Sequence, residues 1–163
     1  MRAFVVILAW TIAAGAIFAQ QPAPPTKTYA SAADVAALLA KAKAEHKDGQ
    51  PTVVEHILTL APYGANMEYR SSVGPAAVHE KDAEMFYVID GSATLTTGGK
   101  LANEKRTNAE NLTGTGIEGG KSQAVAKGDF VIVPENTPHQ FSAIDGTIVL
   151  MSIHVPRSGG ANP

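Results

Sequence analysis

Two segments of the chain carry side chains that could bind a metal ion. His79 and Glu84 lie in the first, residues 74–91, and His139 lies in the second, residues 128–143. Imidazole nitrogens and carboxylate oxygens are common ligands of transition metals, and a bound ion can polarise a carboxylate, enolate or hydroxyl group. Taken singly, each residue also has an ordinary explanation. A lone histidine is more often hydrogen-bonded than a ligand, and a lone glutamate is usually solvated.

The sequence that follows Glu84 is typical of a β-strand. Side chains two positions apart on a strand share a face, so Phe86 and Val88 are expected beside Glu84 in an apolar interior. The opposite face is then formed by Met85, Tyr87 and Ile89. Because an unpaired carboxylate is costly among apolar side chains, Glu84 is predicted to have a metal or hydrogen-bond partner.

The first segment resembles the first signature motif of the cupin family. That motif has two metal-binding histidines separated by one residue, then a glutamate, then a glycine. Glu84 and Gly91 keep the glutamate and the glycine, with six residues between them. His79 falls on the second histidine of the motif and Ala77 on the first, so one metal ligand of the family pattern is missing.

The second segment resembles the second cupin motif. Gly128, Pro134 and His139 match at the family's spacing, while Asn136 stands for the middle glycine and Ala143 for the final asparagine. Neither substitution removes a ligand. Asparagine tolerates the left-handed backbone that a turn glycine usually supplies, so the turn is expected to survive. Strand alternation places Ala143 on the same face as His139.

The resemblance implies a metal site formed by His79, Glu84 and His139, which is a set of two histidines and one carboxylate. The chain has no cysteine and therefore no thiolate ligand. The cofactor is expected to be a divalent transition metal, namely Mn, Fe, Ni, Zn or Cu, and the sequence does not choose among them. His56 and His154 are alternatives for the missing ligand, although a structural or surface role is the more common one for a histidine.

Residues 52–156 predict a single all-β domain, because β-rich runs alternate with turn signals. Together with the two motifs, this pattern predicts a cupin-type antiparallel β-barrel, also called a double-stranded β-helix or jelly roll. An extended, loosely packed tether (20–30), a helical segment (31–49) and a C-terminal tail (157–163) are expected around it. The strands are predicted at residues 52–60, 66–71, 76–80, 85–90, 92–97, 122–126, 130–133, 139–143 and 147–155. The turns are predicted at residues 63–64, 90–91, 98–99, 119–120 and 145–146.

The helical segment is expected to pack on the barrel. Ser31 and Asp34 have the spacing of a capping box with Asp in place of Glu. The alanine-rich stretch of residues 32–47 favours a helix, which Asp48 and Gly49 should end. The apolar side chains that recur at helical spacing are Val35, Leu38 and Leu39.

Residues 1–19 have the layout of a secretory signal peptide: Arg2, an uncharged apolar run, and the small residue Ala19. The competing interpretation is a retained membrane anchor, but the run is shorter than the roughly 20 apolar residues of a spanning helix. We expect cleavage after Ala19, export to the periplasm or the medium, and no stable membrane insertion of the mature chain.

The charges are dispersed, with 13 basic and 15 acidic residues and a net charge of −2. This composition offers neither a basic patch for nucleic acid nor a polybasic segment for a membrane surface. A small neutral or anionic molecule is the expected partner. The cupin resemblance additionally implies a homodimer.

Two functions are compatible with these observations. The resemblance implies an exported metal-dependent enzyme of the dioxygenase, decarboxylase, lyase or isomerase type that acts on a small oxygenated molecule. In such an enzyme Tyr87 could move protons, although strand alternation puts it on the outer face. The alternative is a non-catalytic cupin, a ligand-binding or structural domain with a degenerate metal site, which Ala77 favours. The insert at residues 92–127 is either a flap over the barrel mouth or a solvated loop.

Overall fold

A computed structural model describes residues 25–157. The expected signal peptide, the first part of the tether and residues 158–163 lie outside the described residues. Within 25–157, no helix is long and apolar enough to cross a membrane. The helix is α1 (Ala32–Glu45). The strands are β1 (Thr52–Leu60), β2 (Tyr63–Arg70), β3 (Ala76–His79), β4 (Asp82–Thr97), β5 (Lys100–Ala102), β6 (Lys105–Arg106), β7 (Asn111–Gly114), β8 (Gly116–Glu118), β9 (Lys121–Ala126), β10 (Phe130–Val133) and β11 (His139–Pro156).

Two long strands, β4 and β11, organise the barrel by pairing antiparallel along their whole lengths. β2 and then β1 extend the sheet from the second half of β11, and β10 pairs with the first half of β4. β9 pairs with the second half of β4, while β3 and β7 continue from the start of β11. All of these pairings are antiparallel, which confirms the predicted all-β, cupin-type barrel with a short N-terminal helix.

The predicted turns at 90–91 and 145–146 are wrong as chain reversals, because both lie inside continuous strands. Gly91 has a φ of 82° and Gly146 a φ of 67°, which are left-handed values that glycine adopts without steric cost. The β4–β11 register also shifts between Asp145 and Ile148. These irregularities bend the two long strands, so that each contributes to both walls of the barrel.

Two other segments differ from the expectation. Residues 63–64 do not form a turn but begin β2, where Gly64 pairs with Thr59 on one side and His154 on the other. The insert at 92–127 is not a solvated loop. It holds the second half of β4 and strands β5 to β9, and β7 lies directly beside β3. The second half of β4 and strand β9 were predicted, at 92–97 and 122–126. Sequence periodicity missed β5 to β8 because they are only two to four residues long.

The barrel interior is apolar around the predicted site. Glu84, Phe86 and Val88 are all buried on one face of β4, as strand alternation predicted. Ala143 is exposed, which contradicts the expectation that it shares a face with His139. The physical reason is a register shift between Phe141 and Ala143 that reverses the alternation. The core cluster consists of Phe86, Val88, Ala93, Leu95, Val125, Val133, Phe141, Ile148 and Leu150, with Ile144 packed against it.

Helix α1 covers the outer face of the β1–β2–β11 sheet. The capping box is present, since Ser31 and Asp34 exchange hydrogen bonds at the helix start. The helix ends at Glu45, two residues earlier than expected, where the His46 ring bonds to the Gln50 carbonyl at 2.8 Å and to Ser71 at 2.7 Å. The predicted apolar residues of α1 pack against a second cluster formed by Ala42, Val53, Ile57, Ala65, Met67 and Val149.

The described end of the tether is tied to the barrel rather than loosely packed. The Lys27 backbone N–H donates to the Thr59 carbonyl, and the Thr59 N–H donates to the Lys27 carbonyl, both at 2.8 Å. These two bonds add one residue of strand to the free edge of β1.

Candidate metal centre

The three predicted ligands come together inside the barrel. His79 is the last residue of β3, Glu84 lies near the start of β4 and His139 is the first residue of β11. The Glu84 Oε2 atom lies 3.2 Å from His79 Nε2 and 3.0 Å from His139 Nε2. Asn136 helps to fix this arrangement. It adopts the expected left-handed conformation with a φ of 58°, and its N–H donates to the His79 carbonyl at 2.8 Å.

His154 is a fourth member of the cluster. It lies directly opposite Glu84 in the β4–β11 pairing, and its Nε2 atom is 3.6 Å from Glu84 Oε1. The rings of His79 and His154 meet edge to face, with their centroids 4.6 Å apart. His79, Glu84 and His154 each offer a ligand atom within 4.8 Å of the other two. Of the two alternatives for the ligand missing at Ala77, the structure therefore brings His154 to the cluster.

The other sequence candidates lie elsewhere. His56 is exposed and bonds to Asn66 rather than to the cluster. Tyr87 is on the outer face of the sheet, where its ring packs against Phe130 with the centroids 4.6 Å apart. That position excludes Tyr87 from proton transfer at the cluster.

The protonation of His139 follows from its backbone contact. Its Nδ1 atom lies 3.1 Å from the Thr137 carbonyl oxygen. A carbonyl oxygen only accepts, so Nδ1 carries the proton. In the neutral ring the lone pair is therefore on Nε2, which is the atom that faces Glu84. This tautomer leaves Nε2 free to bind a metal.

His79 is held in the same tautomer by residues of the insert. The Glu110 N–H donates to Asn108 Oδ1, and that oxygen also accepts from Asn111 Nδ2 at 3.0 Å. Asn111 must then present its oxygen to His79 Nδ1, at 2.6 Å. As a result, His79 Nδ1 donates and Nε2 is left with the lone pair. The sequence contained no signal for this role beyond the length of the insert.

The cluster needs positive charge. Glu84 and His139 are both nearly buried, with side chains 5% and 8% exposed. Burial alone would raise the pKa of Glu84, but hydrogen bonds with His139 and His79 and the charges of His139 and His154 hold it below its usual range. Burial would lower the pKa of His79, but its hydrogen bonds with Glu84 and Asn111 raise it above the usual value. Either a proton or a metal cation can supply the charge that the facing nitrogen and oxygen atoms require.

The donor atoms of His79, Glu84 and His154 lie close enough together to share a metal ion, and His139 Nε2 is 3.0 Å from Glu84. Two ligands at adjacent corners of an octahedral ion, each about 2.1 Å from it, are separated by about 3 Å. The separations from Glu84 to the three histidines, 3.2, 3.0 and 3.6 Å, are close to that value. The set contains nitrogen and oxygen donors only, which suits a divalent transition metal.

A second polar group lies deeper in the barrel and is fully paired. Glu68 contacts Arg70 at 2.6 Å and accepts a hydrogen bond from Ser152 at 2.9 Å. The Arg70 guanidinium also lies 5.0 Å from the centre of the Phe141 ring. Because its charges are balanced internally, we interpret this group as structural.

Comparison with known proteins agrees with this fold. No family model matches the chain, and no curated protein matches it in sequence. Among solved structures, the FeII form of HppE has a TM-score of 0.50 and 16% identity, covering 68% of this chain and 54% of that one. A Klebsiella pneumoniae protein with a double-stranded β-helix domain has a TM-score of 0.49 and 15% identity, covering 71% and 85% of the two chains. KdgF from Halomonas sp. has a TM-score of 0.48 and 16% identity, covering 69% and 87%. At these identities the likeness concerns the fold.

Removing the hydrogen bond that orients His79 should weaken metal binding. We expect Asn111→Leu to lower Zn²⁺ affinity by about 10- to 100-fold, which is the usual cost of losing a partner behind a ligand. Asn111→Asp keeps an acceptor oxygen at the same place and should retain most of the affinity. Isothermal titration calorimetry compares the two variants. Equal losses in both would show that Asn111 does not act by accepting from His79.

The metal-free protein should lose stability as the pH rises. A histidine with a raised pKa contributes stability below its unfolded value, about 6.5, and loses that contribution as the pH rises through the folded value. Glu84, with a lowered pKa, keeps its contribution throughout this range. We expect a lower melting temperature at about pH 8.5 than at about pH 6 by differential scanning calorimetry with a chelator present. His79→Asn should flatten the dependence, and an unchanged slope in that variant would contradict this assignment.

Proposed function

We propose that this chain is a metal-dependent cupin enzyme in which His79, Glu84, His139 and His154 hold a divalent transition metal. One observation carries the proposal. His79 and His139 each donate a hydrogen bond through Nδ1, so in the neutral ring each has its lone pair on Nε2. Both Nε2 atoms face the same oxygen of the buried Glu84 carboxylate. Three facing acceptors are unfavourable unless a proton or a metal cation lies among them, and we propose that in the native protein it is the metal.

The bound metal would supply Lewis acidity toward an oxygen of a small substrate. The chain's own residues do the rest. Asn111 and the Thr137 carbonyl orient two ligands, while Phe86 and Phe141 form an apolar wall beside His139 that limits water. The reaction is of the dioxygenase, decarboxylase, lyase or isomerase type, and the donor set is compatible with each of them.

The competing function is a cupin domain that binds a ligand or supports a structure without catalysis. Ala77 is the observation that favours it, because the family's first histidine is absent there. His154 offsets that loss, since it adds a third imidazole to the cluster. Elemental analysis of the protein purified from its native compartment separates the two functions. About one transition metal per chain supports the enzyme, and a metal-free native protein supports the binding domain.

Export is a further part of the proposal. It is supported by the charge, apolar run and small residue of residues 1–19. N-terminal sequencing of the native protein should begin near Gln20, and a chain that begins at Met1 on the membrane would refute it.

A further inference from the structure

A groove of about 310 Å³ adjoins the cluster on the side of His154. His154 is 30% exposed, whereas Glu84 is 5% exposed, so this is a side from which a small molecule can approach. The groove ends at the corner between β1 and β2. Its lining is His56, Leu58, Thr59, Ala61, Pro62, Tyr63, Gly64, Asn66 and His154.

The strand register places a glycine on the floor of the groove. Gly64 lies directly opposite His154, and the next position on the same face of β2 is Asn66, which pairs with His56 on β1. The absence of a side chain at Gly64 leaves open space between His154 and His56. A Cβ atom at this position would meet only the Leu58 carbonyl oxygen, at 3.6 Å. Gly64 is therefore not required by close packing, and a glycine in a strand often marks the approach of a ligand.

His56 is oriented by Asn66 in this groove. Its Nδ1 atom lies 2.8 Å from Asn66 Oδ1, an acceptor, so Nδ1 carries the proton. The lone pair of the neutral ring is then on Nε2, and the Asn66 amide still has N–H groups to donate. A β-bulge between His56 and Leu58 interrupts the β1–β2 pairing at this position. Bulges of this kind redirect side chains beside functional sites.

The charges of the groove restrict its ligand. No Lys, Arg, Asp or Glu is among the residues that line it. An anionic group would find no partner there but would suit a cation in the cluster. The groove itself offers an acceptor at His56 and donors at Asn66, which suit a hydroxyl group.

We propose that this groove is the substrate subsite of the metal centre and that it binds the neutral, hydroxyl-bearing part of a small hydroxy acid. In this arrangement the carboxylate end faces the histidine cluster, and the His56 Nε2 accepts a hydrogen bond from a hydroxyl group of the ligand. Gly64 lies at the base of the groove, and the ligand packs against its backbone. The assignment of the carboxylate end rests on the proposed function, whereas the His56 contact does not.

Gluconate and hexanoate are suitable probes, because they share a six-carbon carboxylate chain and differ in the hydroxyl groups. We expect the Zn²⁺-loaded wild type to bind gluconate about tenfold more tightly than hexanoate, which corresponds to one or two net hydrogen bonds. His56→Leu should remove this preference. Gly64→Val should lower the affinity for gluconate, because the added side chain would occupy the base of the groove. Both variants should keep wild-type Zn²⁺ affinity, which also shows that they are folded.

Imidazole nitrogen NMR on histidine-labelled protein supplies a readout that does not depend on activity. Gluconate should shift the His56 signals in both the metal-free and the Zn²⁺-loaded protein. A gluconate preference that survives in His56→Leu, together with unshifted His56 signals, overturns the subsite and leaves the metal centre intact. If the wild type binds no Zn²⁺, the metal proposal fails, and the metal-free titration of His56 alone decides the subsite.

Discussion

Replacing Glu84 by Gln is expected to lower divalent-metal affinity by at least about 100-fold. Its Oε2 atom is the one that both His79 and His139 face, and its Oε1 atom lies 3.6 Å from His154 Nε2, whereas Asp82 contacts only the other nitrogen of His154, at 3.7 Å. Loss of a residue behind a ligand costs 10- to 100-fold, so loss of the charged ligand should reach or exceed that range. His139→Ala should have a comparable effect on metal occupancy. Calorimetric titration with Zn²⁺ measures both.

A carboxylate outside the cluster supplies the matched control. Glu118→Gln removes the same charge from an exposed position on β8 and should leave Zn²⁺ affinity unchanged. Ala77→His should act in the opposite direction, because Ala77 pairs directly with His139 and lies on the same face of β3 as His79. Equal Zn²⁺ affinities for wild type, Glu84→Gln and Glu118→Gln would place the metal elsewhere in the chain.

Gly91→Ala is expected to destabilise the fold by about 4 kcal/mol. Two effects add at this position. The backbone has a φ of 82°, which strains any L side chain, and a Cβ atom would overlap the Thr147 carbonyl oxygen and lie 3.0 Å from the Ile148 Cα. Both neighbours are backbone of β11, so they cannot move aside without disturbing the β4–β11 pairing. Urea unfolding monitored by circular dichroism measures the loss.

Gly128 separates the two effects. It is the first glycine of the other motif and also has a positive φ, 94°, but a Cβ atom there would meet nothing within 4 Å. Gly128→Ala should therefore cost only the conformational strain, about 1–2 kcal/mol. If both variants lose the same stability, the close approach of β11 to Gly91 is not what requires the glycine.

Much of the site could be predicted from the two motifs and strand alternation. Alternation placed Phe86 and Val88 beside Glu84, and both are buried there. The tolerance of asparagine for left-handed backbone predicted the conformation of Asn136. These inferences succeed because they depend on residues a few positions apart on one strand or turn.

His154 could be named from the sequence but not placed in the site. It is 15 residues from His139 on the same strand, and only the bends of β11 bring the two histidines to one point. Strand alternation gave one indication of its position. His154 lies two and four residues after Ser152 and Leu150, so it shares a face of β11 with them, and both are fully buried. The role of Asn111 could not be predicted from the sequence, for a different reason. Its contact with His79 depends on the pairing of β7 with β3, and no local pattern specifies a partner 32 residues away.

The sequence could not distinguish between two structural roles of glycine, in a chain reversal and within a strand. Turn statistics assigned residues 63–64 and 90–91 to chain reversals. In the structure, Gly91 bends a continuous strand and Gly64 lies within β2 opposite His154. Whether a glycine reverses the chain or opens space on a sheet depends on which strands pair beside it, and that is a non-local property.

The most direct test of the central claim is imidazole nitrogen NMR of the histidine-labelled protein during titration with Zn²⁺. The chain has five histidines, so each one can be followed. The account predicts that the Nε2 signals of His79, His139 and His154 shift together and saturate at one equivalent, while His46 and His56 do not respond. If Zn²⁺ leaves His79 and His139 unshifted, or if it shifts His46 or His56 instead, the histidines and Glu84 do not form a metal centre.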